Sequence, residues 1–174
     1  MPRFVLLDRD GTLVRDPGYV HRVEDYALLP GVVAGLRRLQ AAGFGLAIVT
    51  NQSGIGRGLF GERDFERFQA HLLRDLAARG ITIAGTFHCP HRPDAGCRCR
   101  KPAPGLLEQA RDRLCAELSA SWLIGDGERD MRAARAAKLQ GAVRIADAAA
   151  AESDYAVVAD FAEAASYVLA HARS

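Results

Sequence analysis

No apolar run in the sequence approaches the ~20 residues that a membrane-crossing helix needs. The apolar opening, Met1 to Leu7, is broken at once by Asp8, Arg9 and Asp10. It is too short for the hydrophobic part of a signal peptide, and no small-residue cleavage site follows it. The expectation is a cytoplasmic protein with no membrane partner. An excess of one charge is missing too. Lys and Arg number 23 against 21 Asp and Glu, a formal net charge of +2, and the basic residues are dispersed. That balance gives no electrostatic basis for binding nucleic acid. Internal repeats and low-complexity linkers are absent. So is a disulfide framework, which spreads its cysteines to staple distant segments. Of the four cysteines, Cys89, Cys97 and Cys99 fall within eleven residues. Cys115 stands apart on an expected helix and reads as a small core residue.

What is present is the composition of an ordinary globule, 49% hydrophobic and 25% charged over 174 residues. A chain of this size can bury roughly 70% of its unfolded surface. It reads as one domain, 1–174, and as a monomer by default. Phe4 to Leu7 is a continuous apolar run, as expected of a strand covered on both faces. Pro30-Gly31 opens a helix that closes at Gly43, and Phe44 to Val49 forms a second buried strand. Apolar residues at helical spacing run from Glu62 to Arg79, with Gly80 as the stop. A strand is expected over Gly85 to His88. A helix opened by Pro104 carries Leu107, Ala110, Leu114 and Leu118 in one stripe. Trp122 to Ile124 reads as a strand and Arg129 to Ala137 as a helix. Strands at 142–145 and 156–158 precede a last helix over 161–171. Strands separated by single helices predict an α/β fold, a doubly wound parallel sheet. In such sheets ligands bind beyond the carboxyl ends of the strands.

The polar clusters sit where that rule places a site. They are Asp8-Arg9-Asp10-Gly11-Thr12, Thr50-Asn51-Gln52-Ser53, Arg100-Lys101 and Gly125-Asp126. A carboxylate can attack phosphorus, and a second one nearby can protonate the leaving oxygen and later activate water. Asp8, Asp10 and Asp126 repel one another unless a cation neutralises them, and hard oxygen ligands of this kind suit Mg²⁺. Thr50 and Lys101 supply a hydroxyl and an ammonium to stabilise a transferring phosphoryl group. Taken alone, Asp-x-Asp-Gly is more often a turn, and Gly125-Asp126 followed by Asp130 is often only a helix start. Four such clusters after successive strands favour phosphoryl transfer over both.

Cys89, His91, Cys97 and Cys99 form the ligand set of a closed structural Zn²⁺ site. It would fix the loop leading into Arg100 and Lys101; a redox pair or a chance cluster is the alternative. His88, next to this set, reads as structural. Gly56-Arg57-Gly58-Leu59-Phe60-Gly61 matches the dinucleotide fingerprint in letter. However, Asn51-Gln52-Ser53 separate it from its strand, and no acidic strand end follows about twenty residues on. Nicotinamide and flavin binding are therefore not expected. The glycines read as a flexible loop, with Arg57 available to an anion.

The four polar clusters, the second continuing into Gly54 and the third into Pro102, resemble the four motifs of the haloacid-dehalogenase superfamily. Residues 4 to 145 carry the resemblance. Within it the chain is similar to the branch of phosphatases acting on heptose bisphosphate and on histidinol phosphate. The resemblance implies a Rossmann-like core in which Asp8 is the nucleophile and Asp10 the general acid/base. It implies Mg²⁺ held by the Asp8 carboxylate, the Asp10 main-chain carbonyl and Asp126, with Thr50 and Lys101 on the phosphoryl group. Asp130 would orient Lys101 or the metal ligands. Asp16, Pro17, Gly18 and Tyr19 would form a flap touching substrate, along with Asn51, Gln52 and Ser53. The same branch carries a zinc loop. The stretch from Val14 to Glu24 is too short for a cap domain, so an open site is expected. Arg100, a planar guanidinium beside Lys101, is the candidate for gripping a second phosphate. Gly127 departs from the lysine common in the heptose branch, so that contact either comes from elsewhere, with Arg129 the candidate, or is absent. The short loop from His91 to Cys97 also resembles the histidinol-phosphate branch. The heptose bisphosphate is the favoured substrate, histidinol phosphate the alternative, and a non-catalytic binding module the distant one.

Overall fold

The computed structural model describes residues 1–146 and 155–172; the expected domain limits of 1–174 extend beyond them. Six strands form one parallel sheet: β1 (Phe4–Leu7), β2 (Gly45–Asn51), β3 (Gly85–Cys89), β4 (Trp122–Gly125), β5 (Gly141–Ile145) and β6 (Ala156–Val158). Their spatial order is β3-β2-β1-β4-β5-β6. All five pairings are parallel, with Phe4 opposite Gly45 and Val5 opposite Trp122 fixing the central register. The chain runs outward from β1 through β2 to β3, then returns across it to β4. β1 and β4 therefore lie at the switch point of the sheet, where a crevice opens beyond the strand ends.

The sequence of β1 explains its central place. All four residues are buried, with alternate side chains going to opposite faces. Val5 and Leu7 join Leu46, Ile48, Ile124 and Val143 beneath α1 (Val32–Ala41), α3 (Glu62–Ala78) and α6 (Phe161–His171). Phe4 and Leu6 join Ala47, Val49 and Leu123 beneath α4 (Gly105–Leu114) and α5 (Glu128–Ala136). Two apolar layers on one sheet are the doubly wound architecture. Between β1 and α1 the chain forms a 3₁₀ turn at Val23–Asp25 and two isolated bridges, Asp10 with Val14 and Val14 with Leu28. No helix of the described residues is long and apolar enough to cross a membrane.

Three expectations are corrected. The helix opened by Pro104 ends at Leu114, and Leu118 belongs to a separate 3₁₀ turn, Leu118–Ala120. Leu118 still packs in the α4–α5 layer, which is why its spacing mimics a longer helix. Cys115 is not in the core: it is exposed and caps α4 at φ 52°, a left-handed conformation that ends the helix. The glycine-rich segment is not simply a flexible loop. Ser53–Gly56 is a short helix, α2. Gly56 donates its N–H to the Pro90 carbonyl at 2.8 Å, and a Cβ there would lie 2.7 Å from the same oxygen. Glycine at 56 thus lets α2 press against the loop that follows β3.

Candidate active site and cysteine–histidine loop

The carboxyl ends of β1, β2 and β4 deliver Asp8, Thr50 and Asp126 to one place. Asp8 is tied to β4 by its N–H, which donates to the Ile124 carbonyl at 2.9 Å. The chain then turns sharply through Gly11 at φ +79°, where a Cβ would press on the Asp126 carboxylate. Glycine is required there by conformation and by space.

Lys101 lies fully buried beside Asp8 and Asp130. Its Nζ is 3.0 Å from Asp8 Oδ1, 2.5 Å from Asp130 Oδ1, and donates to the Val49 carbonyl at 2.7 Å. Burial alone disfavours its charge, but the carboxylates of Asp8 and Asp130 outweigh that and hold its pKa above the ordinary lysine value. Asp130 makes two contacts. Its Oδ2 accepts the Gly127 N–H at 3.1 Å and starts α5, while Oδ1 pairs with the lysine.

Asp8, Asp126 and Asp130 each offer an oxygen within 4.8 Å of the others. Burial, then repulsion from Asp8 and Asp130, pushes the Asp126 carboxyl up to about 6. Asp126 Oδ1 is buried without a hydrogen-bond partner, and Arg129 stands 3.7 Å from it. Three crowded carboxylates over one lysine, with an orphaned oxygen, suit a divalent cation.

Asp10 faces elsewhere. Arg9 Nε and Nη2 grip its two oxygens at 2.6 and 3.0 Å, and Gln52 Nε2 donates to Oδ2 at 2.8 Å. Burial raises the Asp10 pKa, and the attraction of Arg9 only partly offsets it. A carboxyl raised in this way keeps its proton to higher pH than a solvated one.

Two of the residues expected to touch substrate, Asn51 and Gln52, make hydrogen bonds within the protein. Asn51 and Lys101 exchange hydrogen bonds, the Asn51 side chain with both the backbone N–H and the carbonyl of Lys101, each at 3.0 Å. This clamp brings together residues fifty positions apart. Gln52 donates to Thr50 Oγ1 at 3.0 Å as well as to Asp10.

Above these groups opens a cleft of about 270 Å³. Asp8, Asp10, Thr50, Asn51, Gln52, Ser53 and Arg100 line it together with Asp16, Gly18 and Tyr19 of the flap. Pro17 does not line it, a departure from the expected set. Asp16 Oδ1 accepts the N–H groups of Gly18 and Val20 at 2.9 and 3.3 Å, which shapes the flap. Arg57, Arg129 and Pro93 complete the wall, giving the cleft three arginines. Arg100 Nη1 is buried and without a partner. At Gly127, a Cβ would lie 3.4 Å from the Arg129 guanidinium carbon, so Arg129 covers the space beside that glycine.

Sequence reasoning missed Arg9, which is fully buried. The available signal was a cation between two acids at the end of a buried strand.

The second cluster lies after β3. Cys89 Sγ is 3.4 Å from His91 Nδ1 and 3.6 Å from Cys97 Sγ, while Cys99 Sγ is 3.2 Å from the histidine and 3.6 Å from Cys97. Four ligands on one tetrahedral zinc ion would stand about 3.5–3.8 Å apart, from bond lengths near 2.0–2.3 Å. The donor set therefore fits. Burial pushes the Cys89 thiol up to about 12, and a bound cation would favour its thiolate. His88 lies outside the cluster, stacked on Phe65 at 4.1 Å and 3.0 Å from Glu62 Oε2.

The profile of the haloacid dehalogenase-like hydrolases matches residues 14–138. The chain belongs to this family. Among curated relatives, D-glycero-beta-D-manno-heptose-1,7-bisphosphate 7-phosphatase of Photorhabdus laumondii is 44% identical over 142 residues, covering 78% of this chain and 76% of that protein. The enzyme of the same name from Escherichia coli K12 is 43% identical, covering 78% and 74%. Among solved structures, the D,D-heptose 1,7-bisphosphate phosphatase of B. bronchiseptica, complexed with magnesium and phosphate, aligns with a TM-score of 0.86. It is 32% identical and covers 98% of this chain and 99% of that one. The six-stranded parallel sheet is thus the Rossmann-like core of haloacid dehalogenase-like hydrolases.

Proposed function

We propose that this chain is a Mg²⁺-dependent phosphatase that removes the C7 phosphate of D-glycero-β-D-manno-heptose 1,7-bisphosphate, a step towards the heptose of lipopolysaccharide. The observation that carries it is the Asp8 carboxylate at the floor of the cleft, 3.0 Å from Lys101 Nζ and clustered with Asp126 and Asp130. The names of the similar proteins supply the substrate and its anomer.

Asp8 attacks phosphorus, and the bond to the ester oxygen breaks as the Asp10 carboxyl passes its proton to that oxygen. Asp10, now a carboxylate, takes a proton from water as the water attacks the aspartyl phosphate. The bond to Asp8 breaks, phosphate leaves, and both acids regain their starting states. Asp8, Asp126 and the main-chain carbonyl of Asp10 are the proposed ligands of Mg²⁺, which would neutralise carboxylate and phosphoryl charge. Lys101 and Thr50 hold charge on the transferring group. Phosphate release from the β and α heptose bisphosphates and from histidinol phosphate, each with Mg²⁺ and with chelator, tests the proposal. Mg²⁺-dependent preference for the β heptose is expected; preference for histidinol phosphate would refute the substrate.

Arg100, which lines the cleft with Arg57 and Arg129 and has one buried nitrogen without a partner, is the proposed ligand for the C1 phosphate. Arg100→Ala should lower kcat/KM on the bisphosphate by about 10–100-fold, the value of a charge-assisted contact. Hydrolysis of a monophosphate should change by less than about threefold. Equal losses on both would remove Arg100 from that role.

Zinc is the proposed occupant of the cysteine–histidine loop. Elemental analysis of the purified protein should find one zinc per chain, and Cys97→Ser should lose it. The same substitution should lower kcat by loosening the loop that Asn51 clamps, while the sheet still unfolds cooperatively. A zinc-free wild-type protein with full activity would contradict this.

A further inference from the structure

Arg9 has a place in the molecule that the chemistry above does not use. It is a fully buried arginine in the α1–α3 layer of a soluble fold, with its guanidinium over the rings of Phe68 at 4.6 Å and Phe65 at 5.4 Å. An arginine is costly to bury unless its charge and its donors are met. Its Nε and Nη2 meet both oxygens of Asp10, at 2.6 and 3.0 Å, while Nη1 is buried without a hydrogen-bond partner. Its Nη2 also donates at 3.1 Å to the carbonyl of Val20, where the flap rejoins the core. The two aromatic rings fix the guanidinium plane, and a planar fork fixes the plane of the carboxylate it grips. Gln52 adds one donor to Asp10, but from the β2 side. The guanidinium is thus the one group among those described that joins Asp10 both to the α3 aromatics and to the end of the flap.

We infer that Arg9 is a positioning residue for the phosphatase reaction: it sets the orientation of the Asp10 carboxyl and ties it to the flap at Val20. The inference rests on the proposed role of Asp10. Arg9 does not touch substrate; it acts through Asp10, which must point at the departing oxygen when the phosphorus–oxygen bond breaks. A misplaced Asp10 matters most when the leaving group cannot depart as a stable anion. An alkyl phosphate such as a sugar phosphate needs the proton, whereas p-nitrophenyl phosphate releases a stabilised phenolate without it. A lysine at position 9 retains the charge but offers a point donor in place of the fork.

The test compares kcat/KM of wild type, Arg9→Lys and Arg9→Gln on the heptose bisphosphate and on p-nitrophenyl phosphate, with Mg²⁺. The ratio kcat/KM reports steps up to formation of the aspartyl phosphate, so the later use of Asp10 as a base does not obscure it. Asp10→Asn serves as the reference for complete loss of the acid. The expected result is a loss of about 30-fold or more on the alkyl ester, within the range that general acid catalysis supplies. The loss on the aryl ester should stay below about threefold, with Arg9→Lys milder than Arg9→Gln. The comparison uses whichever variant keeps the wild-type melting temperature. Equal losses on the two esters, no loss on either, or failure of both variants to fold would each overturn the inference and leave Arg9 a purely structural ion pair. Inactivity of the wild type on both esters would instead refute the proposed function itself.

Discussion

Replacing Asp8 by asparagine is expected to abolish turnover while leaving the fold standing. The activity side follows from the proposed mechanism: an amide is no nucleophile towards phosphorus, so the loss should reach at least about 10⁴-fold. The stability side follows from the charges around Asp8. Lys101 loses a partner at 3.0 Å but keeps Asp130 at 2.5 Å and the Val49 carbonyl at 2.7 Å. Asp126 and Asp130, both held above their ordinary pKa, in part by Asp8, lose a repulsive neighbour. These effects oppose each other, and asparagine fills the same volume. Phosphate release and thermal unfolding on one preparation check the prediction. Near wild-type turnover would remove Asp8 from the role, and an unfolded variant would show that the charge balance is misjudged.

Lys101→Met should damage both properties. It removes the ammonium buried between Asp8 and Asp130, and these acids lose a partner that permits their burial. Breaking a buried ion pair by deleting one side costs about 3–5 kcal/mol. In a domain of this length that corresponds to a fall on the order of 10 °C in melting temperature without metal. The proposed contact with the phosphoryl group disappears too, so a rate loss of about 10²–10³-fold is expected even in the folded fraction. Mg²⁺ should recover part of the stability, since a cation near Asp8 and Asp126 relieves the same repulsion, but little of the activity. Scanning calorimetry with and without Mg²⁺ distinguishes these effects. A melting temperature equal to that of wild type in metal-free buffer would contradict the central position given to Lys101. The two variants thus differ in stability although both lose activity.

The carboxyl ends of the strands were legible because each combines a short apolar run with a polar cluster, a local signal needing no knowledge of partners. That rule picks out Asp8, Thr50, Lys101 and Asp126, and the structure brings them together. Errors arose where local pattern and packing diverge. Leu118 keeps the apolar spacing of α4, yet the chain has already left the helix through Cys115 in a left-handed conformation. The glycines after β2 suggested a mobile loop, whereas Gly56 allows close approach to Pro90, a contact made across the turn of the chain. Asn51 was recognisable as part of a motif, but its clamp on Lys101 depends on two loops converging. Arg9 was least legible: a charged residue flanked by acids reads as solvated, and only the rings of Phe65 and Phe68 reveal it as buried.

The most direct test of the account is to find where the phosphoryl group resides during turnover. Enzyme quenched in acid while hydrolysing its substrate, then reduced with borohydride, converts an aspartyl phosphate into a stable homoserine. Trypsin cuts after Arg3, Arg9 and Arg15, so Asp8 and Asp10 fall in separate peptides, Phe4–Arg9 and Asp10–Arg15. The account predicts the reduced residue in the first peptide at position 8, dependent on Mg²⁺ and absent from Asp8→Asn. Modification confined to the second peptide, or none in an enzyme that is turning over, would contradict it.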